Sequence, residues 1–163
     1  MKLARTLRLD ISDTQVFDHP ANPGEWAVSG GFAFSNWEEG DLVGKARQAF
    51  ANGWLGLESF GRATFVAVTR ITPAEYAAAT EALACHFVEG WGAPSLEAAR
   101  PVAEEELAHM RAMCEDHPDN TILTVARELT GAGVHETFRV IPAQAAGLES
   151  FAVHATPDDT PGN

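Results

Sequence analysis

Between Asn52 and Gly61 the chain places three glycines, two large aromatics and one carboxylate, in the run Asn52-Gly53-Trp54-Leu55-Gly56-Leu57-Glu58-Ser59-Phe60-Gly61. It then passes directly into Arg62-Ala63-Thr64-Phe65-Val66-Ala67-Val68. This junction limits what the chain can fold into. Asn52-Gly53 stops a helix arriving from the N-terminal side. The unbroken apolar run Phe65–Val68 asks for a central strand covered on both faces. The rest of the chain must therefore supply neighbouring strands and a covering layer.

The flanking patterns supply both. Residues 2–10 alternate Leu3, Arg5, Leu7, Leu9 against Ala4, Thr6, Arg8, a half-buried first strand. Residues 18–24 carry turn chemistry alone. Glu25–Phe34 reads as a second strand, with Trp26, Val28, Phe32 and Phe34 on one face and Ala27, Ser29, Gly31 and Ala33 on the other. So many small residues on one side call for close approach by a helix backbone or a ligand. Glu38–Ala51 has helical spacing at Leu42, Val43, Ala46 and Phe50. Thr72-Pro73-Ala74-Glu75 opens a helix with an N-cap, a proline at the first position and a capping box. That helix runs to about Gly90, with Tyr76, Ala79, Leu83, Phe87 and Trp91 inward. A further helix restarts at Ser95. Pro101 is expected to divide it into a short turn and a main helix to Glu115, with Leu107, Met110 and Met113 or Cys114 inward. Thr121–Thr130 and Val134–Ile141 form a hairpin around Gly131-Ala132-Gly133, read as a three-residue loop. The order is ββαβααββ: an α+β, two-layer domain whose mainly antiparallel sheet has about five strands, with about three helices on one face. Residues 1–142 make the single domain; residues 143–163 are a C-terminal extension, partly a flexible tail.

Charge removes several function classes. The formal net charge is −12, from 23 acids against 11 bases. Phosphate binding needs clustered Lys and Arg, so nucleic acid is not expected as a partner. Anionic lipid would repel this surface, so a membrane role is not expected either. Cys85 and Cys114 form no disulfide framework, which fits a reduced, cytoplasmic setting. A homo-oligomer through an open sheet edge at residues 2–10 or 134–141 is compatible with this reading.

Five features carry candidate chemistry. Glu106 and His109 form an E-x-x-H pair on one helix face, near Cys114 and His117. Di-iron bundles use that spacing twice, with two more carboxylates, and this chain has one copy. The plainer reading is an acidic solvated face, and no metal and no cofactor is expected. Ser59 lies in a partial match to a nucleophile elbow, in the wrong strand–helix context. Cys85 and His86 are adjacent on a helix and diverge. The Trp54–Gly61 segment reads as a ligand or partner loop. Its glycines allow close approach, Trp54 and Phe60 offer an apolar wall, and Glu58 accepts from an amine or guanidinium. The plainer reading is a connection whose aromatics plug the domain edge. Finally, Gly56-Leu57-Glu58-Ser59-Phe60 recurs as Gly147-Leu148-Glu149-Ser150-Phe151.

In Lys2–Asp10, Gly24–Gly30, Gly44–Phe50, Gly53–Gly61 and Ala99–Glu106 the chain resembles an uncharacterised family of short, mostly proteobacterial proteins. The resemblance spans residues 1 to about 141 and leaves out the tail. It transfers no catalytic residue, and implies at most an accessory role in cofactor or redox-enzyme maturation. The resulting expectation is a small non-enzymatic domain contacting a protein partner or small ligand through Trp54, Glu58, Ser59 and Phe60. The competing expectations are a small enzyme with Glu58 as its acid/base group, and a metal protein using His109 and His117. A partner surface requires Trp54 to be partly exposed.

Overall fold

The computed structural model describes residues 1–142. In chain order they form β1 (Lys2–Leu7), α1 (Ser12–Val16), β2 (Trp26–Val28), α2 (Gly44–Asn52), β3 (Trp54–Gly56), β4 (Arg62–Ala63), β5 (Phe65–Arg70), α3 (Pro73–Gly90), α4 (Leu96–Glu115), β6 (Ile122–Thr130) and β7 (Gly133–Ile141). Short 3-10 turns lie at Gly31–Phe34 and Glu39–Asp41. One antiparallel sheet runs β4-β3-β2-β1-β5-β6-β7. The α+β class stands, with seven strands in place of about five and four helices in place of about three.

The added strands come from the glycine junction itself. Trp54 pairs with Ala63 and Leu55 with Arg62, so β3 and β4 form a hairpin around residues 57–61. The strand expected over Glu25–Phe34 stops at Val28 because Gly30 turns to φ 76°, where a Cβ would meet Leu55 Cβ at 2.6 Å. The helix expected over Glu38–Ala51 starts only at Gly44, because Glu38 and Asp41 close their own capped turn first. α1 is five residues long, too short to show a period.

α3 begins as expected: Thr72 Oγ1 accepts from the Glu75 N–H (3.1 Å), and Glu75 Oε1 accepts from the Thr72 N–H (3.0 Å). Its buried residues include Ala79, Leu83 and Phe87; Tyr76 is half-buried, and Trp91 beyond its end is 49% exposed. Pro101 does not divide α4. It sits early in the helix at an exposed position, and Glu97, whose carbonyl it leaves without an N–H partner, is exposed as well. The hairpin turn is one residue tighter than expected, since Thr130 pairs with Gly133 across Gly131-Ala132.

β1 lies between β2 and β5, so the edges are β4 and β7, and the expected open edge at residues 2–10 does not exist. α4 packs on β1 and on its partner α3. The core joins Leu3, Ala4, Val66 and Val68 of the sheet to Leu83 and Phe87 of α3 and to Ala103, Leu107 and Met110 of α4. The sheet curls strongly. Trp54 of β3 and Phe138 of β7 stand near opposite ends of the strand order, yet their ring centroids are 5.7 Å apart. No helix among the described residues is long and apolar enough to cross a membrane.

Candidate functional site

The Gly56–Gly61 loop is organised from below by Glu25, whose side chain is 1% exposed. One carboxylate oxygen accepts from the N–H groups of Glu58 (2.9 Å) and Ser59 (2.8 Å). The other accepts from the Ser59 hydroxyl (2.6 Å) and the Asn22 N–H (2.7 Å). Burial alone would raise this carboxyl, but the Ser59, Glu58 and Asn22 donors outweigh it and hold Glu25 below the usual value of 4.5. The glycines serve the same arrangement. A Cβ on Gly56 would strike the Glu25 carboxylate, and one on Gly61 would lie 2.6 Å from the Pro20–Ala21 backbone.

This accounts for each residue expected to form the site. Trp54 is fully buried, and its indole N–H has no hydrogen-bond partner among the described residues. It offers no surface, so the requirement that it be partly exposed is not met. Ser59 is committed to Glu25. The Glu58 side chain is exposed. Phe60, at φ 59°, stacks on His86 with centroids 3.8 Å apart and planes 1° from parallel. The segment is thus built around its own packing, and the carboxylate that governs it is Glu25, not Glu58.

A different place brings polar groups together. A cleft of about 260 Å³ opens between α4 and β7, lined by Ser29, Gly31, Phe32, Glu106, His109, Val134 and Glu136. The i,i+3 spacing puts Glu106 and His109 on one face of α4. Strand alternation turns Val134 and Glu136 the same way on β7, while His135 and Thr137 face out. The small residues Ser29 and Gly31 follow β2 and allow the close approach their size suggested. A Cβ on Gly31 would collide with the Glu136 carboxylate.

Behind the cleft lies a buried ionic network. Arg127, the cross-strand partner of Glu136, donates from Nε to Glu136 Oε2 at 2.6 Å. Its Nη1 donates to the carbonyls of Phe50 (2.9 Å) and Gly53 (3.0 Å) at the end of α2, and its Nη2 to the Ser29 carbonyl (2.5 Å). The Ser29 hydroxyl donates to the same Glu136 oxygen at 2.6 Å. Arg62 donates to the Gly53 (3.1 Å) and Gly30 (3.2 Å) carbonyls. Burial pushes Arg62 down to about 9, with repulsion from Arg127 adding and Glu136 opposing, which leaves it charged at neutral pH. Burial raises the Glu106 carboxyl, with Glu136 and Glu105 adding and His109 opposing. Glu136 Oε1 and both Glu106 oxygens have no hydrogen-bond partner among the described residues.

Among the described residues no three His, Cys, Asp or Glu side chains converge as a metal site, so the structure does not bring His109, Cys114 and His117 together. Cys114 is fully buried, and burial pushes its thiol up to about 12, far from a reactive thiolate. The Gly147–Phe151 copy and the 143–163 extension lie outside the described residues.

A family model described as a family of unknown function (DUF6505) matches residues 1–159, and the chain belongs to that family. The match continues past residue 141, into the tail that the resemblance left out. No curated protein and no solved structure matches the chain.

Proposed function

We propose that this member of the DUF6505 family binds a small ligand in the cleft between α4 and β7. The observation that carries the reading is the convergence of Ser29, Glu106, His109 and Glu136, from three separate parts of the chain, on one opening walled by Phe32 and Val134. A few placed polar groups on an apolar wall are the usual make-up of a small-molecule site. At about 260 Å³ the cleft is smaller than those that hold drug-sized ligands, so the ligand is small. The Trp54–Gly61 segment supports this site from outside it.

A second reading, acid/base catalysis, moves from Glu58 to Glu106. It is favoured by one observation, the raised Glu106 carboxyl in a cleft. Glu136 contributes less to it, being held by Arg127 and Ser29. Amide spectra of the labelled protein during a fragment screen test the binding reading. Hits should move the signals of Gly31, Phe32, His109 and Val134 and leave Glu58 and Ser59 in place. Hits that gather on residues 58–60 instead would overturn it.

A further inference from the structure

The chemical class of the ligand follows from the hydrogen-bond inventory of the cleft, and this step rests on the cleft being the binding site. We infer that the ligand is a small organic cation, with a primary ammonium or guanidinium head between Glu106 and Glu136 and an apolar body against Phe32 and Val134.

The side-chain donors at the cleft, His109 apart, are already used. The Ser29 hydroxyl is directed at Glu136 Oε2. Arg127 is saturated by Glu136, the carbonyls of Phe50, Gly53 and Ser29, and the Ser29 hydroxyl oxygen. Of the lining side chains only the exposed His109 ring still has an N–H to offer. The acceptors, by contrast, are open among the described residues: Glu136 Oε1 and both oxygens of Glu106. A ligand that fills this space must donate, and it must donate more than once. An ammonium has three N–H donors and a guanidinium five, the latter in a planar fork suited to a carboxylate.

Charge separates a cation from a neutral donor. Glu106 and Glu136 face each other across the opening, and Glu105 adds to the field on Glu106. Arg127 offsets Glu136 from behind, whereas on the cleft side only the His109 ring opposes the charge of Glu106 among the described residues. A cation removes the repulsion; a neutral alcohol leaves it in place, and an anion increases it. The aromatic wall agrees. Phe32 is held edge-on by Phe87 (4.9 Å) and Trp91 (5.5 Å), so it is a fixed surface for an alkyl chain or for a cation over its ring.

The test is a titration of the labelled full chain with n-butylammonium, n-butylguanidinium, n-butanol and n-butyrate, followed by amide shifts. The two cations should move Gly31, Phe32, His109 and Val134, and the alcohol and acid should not. Glu106→Gln should weaken cation binding by about tenfold or more, with Glu106→Asp intermediate. Glu128→Gln, an exposed change on the outer side of β6, should leave it unchanged. If Glu128→Gln weakens binding as much as Glu106→Gln, the attraction is that of an acidic protein in general and the inference fails. If butanol or butyrate moves the cleft signals and the cations do not, the cation class falls while the cleft reading stands. If none of the four moves them, both fall. The amide spectrum reports the fold of every variant in the same experiment.

Discussion

Glu25→Gln isolates what one buried carboxylate does for the junction loop. The change keeps the side-chain shape. The amide oxygen can retain the two bonds from the Glu58 and Ser59 N–H groups. The new NH₂ then replaces the oxygen that accepts from the Asn22 N–H and the Ser59 hydroxyl. The hydroxyl can rotate; the Asn22 N–H cannot, and losing its acceptor costs about 1–3 kcal/mol. The two retained bonds change from charge-assisted to neutral, which removes roughly another 1 kcal/mol. A loss of about 3 kcal/mol lowers Tm by about 6–12 °C in a chain of this size. Because Glu25 titrates below 4.5 in spite of its burial, the folded state favours the charged form. Its stabilising effect is therefore complete above the unfolded value and is lost as pH falls through the folded one. The gap between wild type and variant should be widest at pH 7 and should narrow below about pH 4. Calorimetry at several pH values measures it, with hydrogen exchange at the Glu58 and Ser59 amides as the local readout. A variant within about 1 kcal/mol of wild type at pH 7, with a gap that ignores pH, would refute the account.

Three other perturbations reach the cleft. Arg127→Met should cost about 3–5 kcal/mol, since it leaves Glu136 with the Ser29 hydroxyl alone and takes a charged donor from the Phe50, Gly53 and Ser29 carbonyls; denaturant unfolding reads it. Gly31→Ala should cost about 1–3 kcal/mol by pressing a methyl on the Glu136 carboxylate, and Gly40→Ala, with nothing within 4 Å, serves as the control. Glu106→Gln should raise Tm at pH 7. The folded state lifts the Glu106 carboxyl above 4.5, so wild type loses stability as pH rises from that value through the raised one. Below pH 4 the two proteins should melt alike.

What could be read in the sequence was local, and what could not was long-range. α3 was legible because Thr72, Pro73 and Glu75 state its start within four residues. The β6–β7 hairpin was legible because both strands alternate around glycines. β3 and β4 have three and two residues, too few to show a period, so their pairing exists only through the partner strand. Nothing near Glu25 announces that its carboxylate will meet N–H groups 33 and 34 residues onward. The cleft was half visible. The Glu106–His109 spacing gave one wall, and the small residues Ser29 and Gly31 signalled close approach. The contact that joins them, Ser29 to Glu136, spans 107 residues and has no local trace.

The buried guanidiniums explain why the cleft lies where it does. Arg62 and Arg127 stand inside the protein with one carboxylate among the described residues, Glu136, as their anion. Two features make up the shortfall. Arg127 lies at the C-terminal end of α2, where the helix presents partial negative charge and open carbonyls. Phe34 presents its ring to both cations, with Arg62 4.7 Å and Arg127 5.2 Å from its centroid. Arg127 therefore ties the end of α2, the end of β2 and the β6–β7 edge at one point. Glu136, pinned by the same group, is a rigid wall of the cleft. Glu106 and His109, on the opposite wall, have no comparable anchor. A ligand that enters should leave the Arg127 network unchanged and move α4, so the largest ligand-induced amide shifts belong at Glu106–Met110.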